Sequence, residues 1–113
     1  MSTSELNRLH ANIQASAGIL ALGSNGEHHA LVANGGRVAV GSVTTALGGW
    51  WDGCGALQVV GAGGCAMGLR VEAGGELTEC NALDVMSYDI LVTANSPETL
   101  AFLVNAVRNA KAK

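Results

Sequence analysis

Four residues near the middle of the chain have side chains that could bind a small molecule or take part in a reaction. Trp50 and Trp51 are adjacent, Asp52 follows them, and Cys54 comes two residues later, with glycines on either side. Asp52 could anchor a polar ligand or act as a general base, and Cys54 could add a second contact. Because glycines let a ligand approach backbone amides, one hypothesis is a small-molecule-binding protein or small enzyme with its pocket here.

A nucleophilic role for Cys54 meets an electrostatic objection. A reactive thiolate needs a neighbouring base, a cation or a helix N-terminus to stabilise its charge. Cys54 is expected in a loop, and its charged neighbour is Asp52, an anion that opposes ionisation of a thiol. The sequence therefore favours an inert thiol and predicts no catalytic residue.

The tryptophan pair predicts a contact surface. In an extended chain, neighbouring side chains point to opposite faces, so Trp50 and Trp51 cannot both face the core. The one that is not buried would meet a ligand, a partner or a second subunit, since Trp is enriched at such contacts. We therefore expect Trp50, Trp51, Asp52 and Cys54 to form a ligand or partner contact.

A glycine-rich segment after Val59 and Val60 is similar to the dinucleotide-binding fingerprint. In that motif a strand delivers glycines to a pyrophosphate at a helix N-terminus, and Gly61-Ala62-Gly63-Gly64 fits its beginning. The helix that should follow would have to cross glycines at 68, 74 and 75. A tight turn between strands is the simpler interpretation, and nucleotide binding through Gly61-Ala62-Gly63-Gly64 is a second alternative.

Histidine and cysteine residues could in principle form a metal site. His28 and His29, with Cys54, Cys65 or Cys80, would supply nitrogen and sulfur ligands. Adjacent histidines on a strand point to opposite faces, and the three cysteines follow neither a zinc nor a disulfide spacing. We therefore expect no metal and no cofactor, and the free thiols indicate a reducing cytoplasm.

The middle of the chain is nearly uncharged. Val38–Leu69 contains nine glycines and one charged side chain, Asp52, and the whole chain of 113 residues is 49% hydrophobic but only 13% charged. One domain, residues 1–113, can bury such a segment in a single core. So few charges leave apolar surface for a partner to cover, and we therefore expect a homo-oligomer, most simply a dimer.

Charge and hydropathy also exclude classes of partner. The net charge is −3 and the six basic residues are scattered except at the C-terminus, which argues against nucleic-acid binding. Gly53–Leu69, the least charged window, is too short and too rich in glycine for a membrane span. The first eight residues lack the pattern of a secretory signal. We expect a cytoplasmic protein that binds a protein or a small molecule.

Capping signals define a helix near each end of the chain. Ser2 and Glu5 fit the capping box, which together with apolar residues at helical spacing predicts a first helix over about 3–17. Ser96-Pro97-Glu98 is typical of a helix start, with a cap, a first-turn proline and a first-turn acid. The final helix is predicted over about 97–111.

Short apolar segments between glycine turns predict strands. They are Ile19–Leu22, His28–Ala33, Arg37–Val43, Cys65–Ala73, Glu76–Cys80 and Tyr88–Thr93. We therefore expect an α+β domain, with a mainly antiparallel sheet of about 5–6 strands and the N-terminal and C-terminal helices packed on it. Residues 42–51 fit either a short helix or a strand end. If they are helical, the order α-β-β-α-β-β-β-α resembles that of roadblock-type or profilin-like modules, although no family motif accompanies it.

Phe102 is the only phenylalanine, and it falls on the polar side of the final helix. At about 100° per residue it lies opposite the apolar stripe that contains Leu103, Val104 and Val107, so we expect an oligomer contact there. With the low charge and no evident catalytic triad, this makes a non-catalytic, homo-oligomeric interaction module of the cytoplasm the leading hypothesis.

Overall fold

The computed structural model describes residues 1–14, 32, 41–45, 50–84 and 87–111, and it gives a sheet with helices on both faces. The helices are α1 (Thr3–Gln14), α2 (Trp50–Gly61) and α3 (Pro97–Lys111). The strands are β1 (Gly41–Thr44), β2 (Cys65–Val71), β3 (Leu77–Cys80) and β4 (Ile90–Ala94). The α+β class is as predicted, and the described residues contain four strands where the sequence predicts about 5–6.

The sheet is antiparallel throughout, with its strands in the order β1-β4-β2-β3. β4 lies between β1 and β2, and all five of its residues are buried. Its Val92 pairs with Val43 of β1 and with Met67 of β2. β2 and β3 form a hairpin, in which the N–H of Glu72 donates to the Glu76 carbonyl at 2.8 Å.

The predicted strands can be compared with the structure mainly from β1 onward. Those at 19–22 and 28–33 lie outside the described residues except for Val32, which is helical and buried and so does not fit a strand at that point. The third predicted strand overlaps β1. The last three correspond to β2, β3 and β4, with differences of one or two residues at their ends.

Alternate side chains of β4 belong to two different parts of the core. Ile90 and Val92 belong to a cluster with residues of α1 and α3, whereas Leu91 packs with Ala56 of α2 and with Tyr88. Successive residues of a strand point to opposite faces, so α1 and α3 cover one face of the sheet and α2 covers the other.

The capping box of α1 forms as predicted. The backbone N–H of Ser2 donates to Oε1 of Glu5 at 2.8 Å, and the N–H of Glu5 donates to Oγ of Ser2 at 3.2 Å. These two bonds satisfy donors that a helix start leaves without an intrahelical partner. The helix is described as far as Gln14, so the last three predicted residues, 15–17, lie outside the described part.

α1 packs antiparallel to α3, and the two helices together cover this face of the sheet. Leu9 is 3% exposed and joins the cluster that includes residues of α3. Arg8 Nε donates to the Ala110 carbonyl at 2.8 Å, and Asn12 Nδ2 donates to the Ala106 carbonyl at 3.2 Å. Side chains of α1 therefore bond to backbone carbonyls of α3, some of which lie at its C-terminal end, where helices leave carbonyls without intrahelical donors.

α3 occupies the predicted residues, Pro97–Lys111. Oγ of Ser96 accepts the N–H of Thr99 at 3.2 Å, as expected of an N-cap. Its buried residues are Leu103, Val104, Ala106, Val107 and Ala110. The stripe faces β4 and α1 and fixes the helix on the sheet.

α2 is the main correction to the sequence prediction. Residues 42–51 are neither one short helix nor one strand end, because β1 continues to Thr44 and helix α2 begins at Trp50. The glycine-rich stretch that suggested a loop around Cys54 is helical. Glycine lowers helix stability by about 1 kcal/mol relative to alanine, but burial of Ala56 (0% exposed) and Val59 (1%) against the sheet offsets this cost.

Candidate functional site

The outer face of α2 carries the largest apolar exposure on any described helix. Leu57 is 58% exposed and Val60 is 44% exposed, and the two are three positions apart, so they lie on one side of the helix. Ala56 and Val59, each one position earlier and therefore about 100° around the helix, are buried, and Ala56 packs with Tyr88 and with Leu91 of β4. α2 therefore presents apolar side chains both to the core and to the outside, which is unusual for a surface helix.

The four predicted contact residues fall in the first part of this helix. The backbone of Trp50, Trp51, Asp52 and Cys54 is helical rather than looped, and their side chains lie outside the described part of the structure. Position 50 is about two turns before Leu57, so the two positions share one side of the helix. The small-molecule pocket at these residues stays a prediction.

The glycines after α2 end the helix. The N–H of Gly63 donates to the Val60 carbonyl at 3.0 Å, and that of Gly64 donates to the Val59 carbonyl at 2.8 Å. Gly63 has φ of +92°, in the left-handed region that favours glycine. These bonds form a Schellman motif, which satisfies the last carbonyls of a helix.

This geometry reverses the order of elements that the dinucleotide fingerprint requires. The fingerprint places its glycines after a strand and before a helix, whose N–H groups hold the pyrophosphate. In this chain the glycines follow helix α2 and precede strand β2, which begins at Cys65. The nearby helix end presents carbonyls and the negative end of the dipole, so it does not favour a phosphate.

The described cysteines are free thiols. Cys65 and Cys80 are half-buried, and Sγ of Cys80 lies 3.6 Å from the carbonyl oxygens of both Thr78 and Ser87, to either of which its one hydrogen can be donated. Within residues 1–14, 32, 41–45, 50–84 and 87–111, no three histidine, cysteine or acidic residues form a cluster that could hold a metal ion. His28 and His29 lie outside these ranges.

Two of the acidic side chains on the β2–β3 hairpin are paired with arginines. Arg70 Nε lies 2.9 Å from Glu72 Oε1, which also accepts the hydroxyl of Thr78 at 2.8 Å. The bond from Arg70, followed by that from Thr78, lowers the pKa of the Glu72 carboxyl. Arg108 of α3 lies 2.9 Å from Glu79 of β3. Both pairs are exposed to solvent, so they neutralise charge more than they stabilise the fold.

Phe102 lies on the solvent side of α3, as predicted. It is 37% exposed, while the next two residues, Leu103 and Val104, are each 7% exposed. Because α2 and α3 cover opposite faces of the sheet, Phe102 and the pair Leu57 and Val60 lie on opposite sides of the molecule.

The sequence does not indicate that Leu57 and Val60 are exposed, because Ala56–Val60 is an apolar segment between glycines and such segments are expected to be buried. The i, i+3 spacing of the two residues was the available signal, but it has meaning only on a helix. Leu83, in the segment between β3 and β4, is also exposed, at 50%, and no helical or strand spacing in the sequence indicates this.

In the described parts of the chain, every helix is too short or too polar to cross a bilayer. The chain matches no protein-family model, and it has no significant match among curated proteins or solved structures. Its function is therefore inferred from its own residues.

Proposed function

We propose that this chain is a non-catalytic interaction module that self-associates through the outer face of α2. The observation that carries the proposal is the exposure of Leu57 and Val60, 58% and 44%, on one side of one helix. Moving an apolar side chain from water into a contact is favourable, by about 1.5–3 kcal/mol for a leucine or valine that becomes fully buried. A contact that covers both residues therefore favours association.

A second copy of the chain is the simplest partner for such a face. In a two-fold dimer both protomers use the same patch, so Leu57 and Val60 would be buried in each protomer. The composition points the same way, because a chain with 13% charged residues has few charges available to keep a large surface solvated. The contact at Trp50, Trp51, Asp52 and Cys54 is part of this proposal, since these residues begin the same helix.

We place the module in the cytoplasm. Cys65 and Cys80 are free and only half-buried, and such thiols persist most readily in a reducing compartment. A different protein that covers the α2 face is the alternative partner.

The test introduces a charge into the face and measures self-association. We expect Leu57→Glu and Val60→Glu each to weaken the dimer at least about tenfold, a change of 1.4 kcal/mol, because an unpaired carboxylate would be buried at the contact. Analytical ultracentrifugation of the purified variants measures the dissociation constant. Far-ultraviolet circular dichroism and thermal unfolding establish that each variant is folded.

Gln58→Glu is the matched control. Gln58 is exposed on the same helix, between the two apolar residues in sequence but on another side of the helix, and the substitution adds the same charge. It should leave the dissociation constant within about threefold of the wild-type value, well under the tenfold step of 1.4 kcal/mol. Dimers that survive both Leu57→Glu and Val60→Glu would show that this face is not the contact.

A further inference from the structure

We draw no further inference here: the strongest candidate, the exposed apolar face of helix α2 at Leu57 and Val60, belongs to the surface on which the proposed function already rests, and nothing in the structure shows what else covers it.

Discussion

At the scale of single residues, Gly68 lies directly beneath the ring of Tyr88. Tyr88 is 6% exposed, and its hydroxyl donates to the Ala82 carbonyl at 2.6 Å, which fixes the ring over the strand. A Cβ atom added to Gly68 would collide with Cγ and Cδ1 of that ring. We expect Gly68→Ala to lower the free energy of unfolding by about 1–3 kcal/mol, because a packed core must shift to accept the methyl group. Urea denaturation measures the change.

Gly74→Ala provides the comparison for this substitution. Gly74 lies in the turn between β2 and β3, no atom would lie within 4 Å of an added Cβ, and its φ is not in the left-handed region. Gly74→Ala should therefore change the free energy of unfolding by less than about 0.5 kcal/mol. Equal losses in the two variants would contradict the role assigned to the Tyr88 ring.

Glu5 makes stability depend on acid pH. Its carboxylate accepts the N–H of Ser2 and lies 2.9 Å from the ammonium of Lys111, and these contacts lower the pKa of the carboxyl from 4.5 to about 2. Folding thus favours the charged form, so the stability that this group contributes is complete above pH 4.5 and is lost as the pH falls toward 2. We expect Glu5→Gln to remove this part of the acid destabilisation, measured by urea denaturation at a series of pH values.

The loss of stability between pH 4.5 and about 2 should be smaller in Glu5→Gln than in the wild type. An equal loss in the two proteins would contradict the role given to Glu5. Direct observation of the Glu5 carboxyl by carbon-13 nuclear magnetic resonance gives the pKa itself. Titration of that carboxyl near pH 4.5 would show that its contacts do not form in solution.

Local partners of these residues could be predicted, and distant ones could not. Ser2 and Glu5 are three positions apart, so the capping box is visible in the sequence. Lys111 is 106 positions from Glu5, and Arg108 is 29 positions from Glu79. No spacing rule connects residues so far apart, because only the packing of helices and strands brings them together.

At the scale of elements, the C-terminal end of α2 contains two glycines whose replacement by alanine should change stability in opposite directions. Gly63 adopts φ of +92°, where alanine is strained by about 1–2 kcal/mol. Gly61 lies within the helix with no atom within 4 Å of an added Cβ, so alanine there avoids a backbone-entropy cost of up to about 1 kcal/mol. We expect Gly63→Ala to lower the thermal unfolding midpoint and Gly61→Ala to raise it or leave it unchanged. Parallel decreases in both variants would contradict the helix end described here.

The helices also show which elements a sequence can specify. α3 has a cap, a first-turn proline, a regular apolar stripe and basic residues in its last turn, so all local signals agree and its bounds are predicted correctly. α2 has no such agreement, because its glycines at 53, 55 and 61 suggest turns. Its helical form depends on burial of Ala56 and Val59 against the sheet, which is a tertiary effect.

At the scale of the whole molecule, two exposed apolar sites are candidates for the proposed dimer contact. Phe102 on α3 is 37% exposed, and it lies on the other side of the sheet from Leu57 on α2. A single two-fold contact uses one of these sides. If α2 forms the contact, Phe102→Glu should leave self-association unchanged, and sedimentation velocity of that variant measures this directly.

Asn105→Glu is a second probe of this side of α3, since Asn105 is exposed and lies three positions after Phe102. Weakening of the dimer by Phe102→Glu, alone or together with Asn105→Glu, would assign the contact to α3, as the sequence predicts for Phe102, and would overturn the assignment to α2.

The layered arrangement was predictable only in outline. Helical and strand periods indicate an α+β domain with terminal helices, but β1 pairs with β4, which is distant in sequence. Residues Ile90–Ala94 of β4 are all buried, so apolar and polar side chains do not alternate along this strand. The sequence of β4 therefore does not indicate which strands lie beside it. The exposure of Leu57 and Val60 could not be predicted for the same reason as α2 itself, since their spacing is meaningful only once the helix is known.

Sedimentation equilibrium of the wild-type chain, over a wide range of concentration at neutral pH, tests the central claim most directly. Self-association predicts a mass that approaches twice the 11.4 kDa of one chain as the concentration rises. A mass that stays at 11.4 kDa up to the highest soluble concentration would contradict it.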